Sequence, residues 1–287
     1  MDYTTFRPML AATLKDPADI KFPVLVSPKI DGIRCILHPV LGAITRTLKP
    51  IPNHFVRSIL NPLSEKYPWL DGELVCGDFQ GTQSAIMSHQ GMPDFKFLVF
   101  DKVADGCYMT RTLLMNTIDH ARIEILEQIA CTDMEEFDYN ESYFVEAGYE
   151  GMMFRKPLSS YKFGRSTMKE QYLVKVKRFE DREAKVVGFE EFYHNANEGS
   201  INALGYKEHS SHHANMVPKN TLGALEVFDD KFKKTFKVGT GFSANQRQDI
   251  WNNQAKFIGQ VINYKYQNYG VVDVPRIPVF RGFRKDI

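Results

Sequence analysis

A chain of 287 residues, 43% of them hydrophobic and 25% charged, can bury a substantial core in one large domain or two modest ones, which excludes a disordered chain. Its net charge of +1 excludes polyanion binding by total charge, so any such role needs cations gathered locally. No apolar run approaches the roughly 18 residues needed to span a bilayer.

The first clear element is FPVLV (Phe22–Val26), an apolar, β-branched run that reads as a buried strand. It leads into SPKIDGIRC (Ser27–Cys35), which sets a lysine, an aspartate and an arginine around one glycine. Strands are expected at Val24–Val26, Gly32–Leu37, Glu73–Cys76, Lys96–Phe100, Gly151–Arg155 and Tyr172–Lys177. Helices are expected at Asn53–Lys66 with Asn53 as N-cap, near Thr82 in GTQSAIMSH, and over Thr112–Gln128, whose apolar residues recur every three or four positions. This mixture indicates a sheet-rich α+β domain ending near Phe179–Glu183. Beyond it, AKVVGFEEF, LGALEVFDD, KTFKVGTGF and GQVINYKYQ read as four short alternating strands, with a helix over Ser243–Asn252. A small barrel fits that order, an oligonucleotide-binding (OB) barrel being one candidate.

His194–Asn220 is polar and long for a loop, and reads as a mobile excursion. Its His209, His212 and His213 raise the alternative of a metal cluster, but no acidic or cysteine ligand has fitting spacing nearby. Four cysteines, Cys35, Cys76, Cys107 and Cys131, lie far apart without a CxxC pair. The opening MDYTTFRPML has no basic region ahead of an apolar one. Neither a zinc site, a disulfide framework nor a secretory signal is expected, and an intracellular, reducing compartment fits. Positive charge does gather in one place: Tyr161–Gly188 holds eight Lys/Arg against four Asp/Glu, which composition alone reads as a solvated face.

Five motifs follow one another: KIDGIR (Lys29–Arg34), DGEL (Asp71–Leu74), FKFLVFD (Phe95–Asp101), EGMMFRKP (Glu150–Pro157) and LVKVK (Leu173–Lys177). The set resembles the ordered motifs of the covalent nucleotidyltransferases, which include ATP-dependent DNA ligases, RNA ligases and mRNA capping enzymes. FRPMLAATL, TRTLKPI, DFQGTQSAIM, YKFGRST, GTGFSANQR and PRIPVFRGFR are also similar to segments of ATP-dependent DNA ligases of the minimal Chlorella virus type. The resemblance therefore extends to both ends of the chain. It implies an α+β fold: a nucleotidyltransferase (adenylation) domain over 1–180, then an OB-fold β-barrel domain over 181–287 with a latch-like insertion at about 194–220.

A lysine amine attacks phosphorus only when unprotonated, and a free lysine has a pKa of about 10.4. Desolvation and neighbouring cations are the usual route to a nucleophilic lysine. Alone, Lys29 reads as an exposed turn residue. The resemblance implies that it attacks the α-phosphate of ATP, releases pyrophosphate and carries AMP as a covalent adduct. It also places Lys175 and Lys177 in the same pocket. Arg34 and Arg46 are either surface arginines or phosphate and ribose contacts, a role the planar guanidinium fork suits. Resemblance gives Arg34 the 5′-phosphate of a nick, Arg46 the AMP, and Asp31 a part in the final attack by the 3′-hydroxyl.

Glu73 and Glu150 would ordinarily be solvated or ion-paired, whereas in a phosphate site they supply hard oxygen ligands for Mg²⁺, with Mn²⁺ an alternative. Resemblance adds a ribose contact for Glu73. Phe95, a core residue on its own merits, matches the aromatic that stacks on adenine. Phe79 and Gln80 fall near the nick and the AMP. Arg155, Arg165, Lys175 and Lys177 bind phosphates in this scheme, which recasts the basic stretch. Arg276 and Arg284, and with them Arg281, match the C-terminal motif that orients the ATP pyrophosphate. In the latch only Lys207 and Lys219 offer cations to DNA, with the three histidines as partial substitutes.

The expected protein is thus an ATP-dependent DNA ligase, a monomer that seals 3′-OH/5′-phosphate nicks in duplex DNA without sequence specificity. An RNA ligase or a GTP-using capping enzyme is the alternative of the same chemistry. A non-catalytic OB-type DNA-binding protein is the alternative of another class. Intact Lys29, Glu73, Glu150, Lys175 and Lys177 argue against that last one, since a dead scaffold has no need of all five.

Overall fold

The computed structural model describes residues 3–176, 179–197, 199–202, 207–209, 215–267 and 273–284. The chain divides into two compact units, one of Met1–Lys177 with Ile201–Lys207, the other of Arg178–Ser200 with Glu208–Ile287.

The first unit contains strands β1 (Ala12–Thr13), β2 (Val24–Pro28), β3 (Ile33–His38), β4 (Gly42–Ile44), β5 (Leu70–Val75), β6 (Lys96–Lys102), β7 (Ile123–Ile125), β8 (Ile129–Cys131), β9 (Met152–Arg155) and β10 (Val174–Val176). They form two five-stranded sheets, ordered β1-β10-β9-β2-β8 and β4-β3-β5-β6-β7. Helices α1 (His54–Lys66), α2 (Phe79–Met87), α3 (Tyr108–Met115) and α4 (Met134–Glu146) accompany them. Asn53 caps α1 as the sequence suggests, its side chain accepting from the Val56 N–H, and Val56, Leu60 and Leu63 bury the apolar stripe. Phe137 and Phe144 of α4 pack with Val24, Val26, Met152, Phe154 and Val174 of the first sheet.

Strands β1, β4 and β8 were not expected, and two helical segments also differ from expectation. The helix over Thr112–Gln128 stops at Met115, and Ile123–Ile125 instead joins β6 as a parallel edge strand, with Phe97 opposite Ile123. Its β-branched isoleucines satisfy either period, and the open edge of β6 decides for the strand. Helix α4 was not expected, although Asp133 caps it and Glu135 and Glu136 occupy its first turn.

The second unit contains β11 (Glu180–Asn195), β14 (Met216–Asp229), β15 (Lys234–Val238), β16 (Val261–Gln267) and β17 (Arg276–Phe283), with helices α5 (Ala244–Asn252) and α6 (Gln254–Phe257), while β12 (Gly199–Ile201) and β13 (Lys207–His209) straddle the division. Its main sheet is ordered β15-β14-β11-β16-β17, and one parallel bridge between Thr240 and Val279 links its edges. The sheet is OB-like, not closed by a full ladder. Val186, Leu225, Val227, Val238, Ile262, Tyr264 and Phe280 fill it. Ser243 and Gln246 form a capping box at the start of α5.

The segment read as a mobile excursion is partly an extension of the β11/β14 hairpin, with Tyr193 opposite Pro218, His194 opposite Val217 and Asn195 opposite Met216. Strands β12 and β13 pair between them. The side chains of Lys207 and His209, and all of His212 and His213, lie outside the described residues. Among the described residues no helix is long and apolar enough to cross a membrane.

Candidate active site

Lys29 follows β2, and Glu150 lies two residues before β9. The antiparallel ladder pairs Ser27 with Met153 and Pro28 with Met152. It then continues past both strands, the Lys29 N–H donating to the Gly151 carbonyl at 2.8 Å. That register brings together two residues 121 positions apart, so that the Lys29 Nζ donates to Glu150 Oε2. The glycine of each motif has a steric reason. At Gly151, with φ +152°, a Cβ would stand 2.6 Å from the Val176 carbonyl oxygen. At Gly32 it would stand 2.6 Å from that of Leu74, so only glycine lets β3 and β5 approach.

On the other sheet Arg34 stands opposite Glu73 in register, with Asp71 two residues away on the same face. Asp71 takes the guanidinium: Nε donates to Oδ1 at 2.5 Å and Nη2 to Oδ2 at 2.6 Å. The Tyr161 hydroxyl adds a bond to Oδ2 at 2.6 Å. Burial opposes the Arg34 charge, but Asp71 outweighs it and keeps the guanidinium firmly protonated. Glu73 is left with its Oε2 buried and without a hydrogen-bond partner among the described residues. Burial pushes its carboxyl up to about 7; Arg34 and Lys29 oppose the rise, while Asp71 and Asp31 add to it.

Between these walls lies a cleft of about 400 Å³. Lys29, Asp31, Arg34, Arg46, Glu73, Glu150, Arg155, Arg165 and Lys175 all line it, together with apolar surface from Leu10, Ile30, Phe100, Leu126 and Met153. Met153 and Arg155 reach it from alternate positions of β9, as strand period requires. Arg155 is buried, its Nη1 bonded to Asp101 Oδ2 at 2.5 Å and its guanidinium 4.0 Å from the Tyr108 ring. Arg165 donates from Nη1 to the Ala11 carbonyl at 2.7 Å. Cationic, acidic and apolar side chains therefore share one cavity.

Phe95 does not. It is fully buried in the core of the second sheet, with the Arg122 guanidinium over its ring. Parity along the chain explains why: Phe95, just before β6, continues the core face of Phe97 and Val99, whereas half-buried Phe100 lines the cleft with Arg34 stacked on it at 4.7 Å. Phe95, expected at the nucleotide, thus lies on the core face, and period two along β6 sends Phe100 to the cleft instead. Lys177 and the side chains of Phe79 and Gln80 lie outside the described residues. Arg276 and Arg281 lie on β17, and Arg284 just after it bonds to Glu183 Oε2 at 3.0 Å. Lys219 is exposed on β14.

No group of three or more His, Cys, Asp or Glu among the described residues forms a metal cage. Mg²⁺ does not need one, since it keeps several waters and typically takes one or two carboxylates plus substrate phosphates. Glu73, with its orphan buried oxygen, and Glu150 fit that donor set.

Residues 8–177 match the family described as ATP dependent DNA ligase domain, and residues 215–284 match the DNA ligase OB-like domain. Two solved structures of Chlorella virus DNA ligase-adenylate align over nearly the whole chain. One is 33% identical with a TM-score of 0.54, covering 97% of this chain and 99% of that chain. The other is 34% identical with a TM-score of 0.53, covering 99% of each. A structure from a study of Lig E DNA ligases shares the fold at 24% identity and a TM-score of 0.68, over 97% of this chain and 99% of that one. Among curated protein sequences none matches the chain.

Proposed function

The chain belongs to the ATP-dependent DNA ligases, and on that premise we propose that it seals 3′-OH/5′-phosphate nicks in duplex DNA through AMP carried on Lys29. The observation that carries this assignment is the Lys29–Glu150 contact in a cleft whose opposite wall holds Arg34, Glu73 and Phe100. The Lys29 Nζ attacks the α-phosphorus of ATP; the P–N bond forms as the bond to pyrophosphate breaks. AMP then passes to the nick's 5′-phosphate, and the 3′-hydroxyl attacks that phosphorus and expels AMP. Attack requires the Nζ lone pair, so the Lys29 ammonium has to give up a proton before the P–N bond forms, and Glu150, which accepts from Nζ, is placed to receive it.

The adenine stacks on Phe100, while Arg46, Arg155, Arg165 and Lys175 neutralise phosphate oxygens. Arg34, held by Asp71 at Nε and Nη2, keeps Nη1 for the nick's phosphate. Asp31 assists the last attack. Glu73 and Glu150 would hold Mg²⁺, or Mn²⁺, which when bound supplies positive charge against the phosphates. The first unit is read as the adenylation domain. The second is read as the OB domain, whose β11/β14 ribbon, with Lys219 exposed on it, closes on the duplex backbone. Contacts to phosphates alone carry no sequence information, so affinity should fall steeply with salt.

The test is covalent labelling with α-labelled ATP and Mg²⁺. Wild type should retain label and Lys29→Ala should retain none. A wild type that takes no label would overturn the assignment.

A further inference from the structure

The cleft's two buried-carboxylate arginines are held differently. Both oxygens of Asp71 grip Arg34, at Nε and Nη2. Asp101, also fully buried, receives from Arg155 only Nη1. No other side-chain hydrogen bond among the described residues engages Arg155. The cause is a third arginine. Arg111 of α3 donates Nε to Asp101 Oδ1 at 2.8 Å and Nη2 to Oδ2 at 3.2 Å, occupying the carboxylate in the two-pronged mode that arginine prefers.

Arg111 is 0% exposed and does not line the cleft. Its Nη1 is used up on the Gly106 carbonyl at 3.0 Å and the Ser159 carbonyl at 2.9 Å. Tyr108, equally buried, lies under Arg155 and donates its hydroxyl to the Phe100 carbonyl at 3.0 Å. Two guanidinium groups thus share one carboxylate beside the cleft, a surplus positive charge in a poorly solvated place, which a bound anion would neutralise.

We propose that Arg111 is a positioning residue: by occupying Asp101 in the two-pronged mode, it keeps Nε and Nη2 of Arg155 for a phosphate oxygen of the bound nucleotide. Without it, Asp101 would capture Arg155 as Asp71 captures Arg34. This rests on the proposed role of Arg155 as a phosphate ligand, and the experiment separates the two.

The rate of enzyme–AMP formation is followed against ATP concentration. Arg155→Met should raise KM for ATP; an unchanged KM would refute the role of Arg155 itself, whatever Arg111 does. Arg111→Met should raise KM about 10-fold or more, the scale of one charge-assisted hydrogen bond, with the limiting rate within about two-fold. The decisive arm is Asp101→Asn/Arg111→Met. A neutral amide cannot hold Arg155 as tightly, so KM should return toward wild type. A merely structural Arg111 gives a double variant no better than the single, and that result would overturn the proposal. Arg111→Lys keeps the charge but not the fork and should give an intermediate KM. A wild-type KM there would show that charge alone suffices, which also overturns it. Where Arg111→Met does not fold, Arg111→Lys and Asp101→Asn/Arg111→Lys carry the same comparison.

Discussion

Glu150 and Glu73 face one cleft from two sheets and meet opposite treatment. Glu150 has Lys29 delivered to it by the ladder between β2 and β9. Glu73 has Arg34 directly opposite, yet Asp71 takes that arginine with both oxygens. One glutamate is therefore an ion-pair partner. The other is a half-buried acid with one buried orphan oxygen, its carboxyl pushed up by burial to about 7. What a carboxylate becomes here depends less on its nearest cation than on who else competes for that cation. The unpaired one is kept at the expense of stability wherever it ionises, and such local conflict is expected where a ligand will later resolve it.

The largest expected effect tests whether the Glu73 wall is divided into a structural and a functional face. Phe95→Ala opens a cavity in the core and should cost about 3–5 kcal/mol in urea unfolding. Phe100→Ala should cost far less stability but raise KM for ATP in enzyme–AMP formation by about 10-fold or more, the scale of a base stacked on an aromatic ring. The reverse pattern would return the adenine platform to Phe95 and erase the division.

The motifs KIDGIR, DGEL and EGMMFRKP were legible because each is contiguous and sits at a strand or its end, and their glycines have local steric reasons. The contact between Lys29 and Glu150 was not, because it depends on the register of two strands that brings together residues 121 positions apart. Cations were expected around Lys29; Lys175 does line the same cleft, but the group in contact with Nζ is a carboxylate. The choice between Phe95 and Phe100 was within reach, since alternation along β6 puts them on different faces. Isoleucines 123 and 125 could serve a helix or an edge strand, and only the neighbouring β6 settles it. Arg111 carried no sequence signal at all, because its part is played through Asp101.

Removing one charge from each acid brings the comparison to its sharpest form. The Glu73 carboxyl titrates near 7 in the folded chain and at the ordinary 4.5 when unfolded. As pH rises, the unfolded chain sheds this proton first, so stability is lost between about pH 4.5 and 7 and is not regained above. Glu73→Gln does not titrate. It should match wild type near pH 4.5 and exceed it by about 3 kcal/mol at pH 8, read by denaturant unfolding at the two values. A variant that gains nothing at pH 8 would mean that Glu73 is not strained.

Glu150→Gln should do the least to stability. Lys29 is 20% exposed, so its charge stays partly solvated, and the amide still offers an oxygen to Nζ. The loss should be at most about 1 kcal/mol at either pH, while enzyme–AMP formation falls. A loss of about 3–5 kcal/mol is what breaking a buried pair costs. That outcome would make Lys29–Glu150 a structural clamp, and the two glutamates would then differ in strength of pairing and no longer in kind.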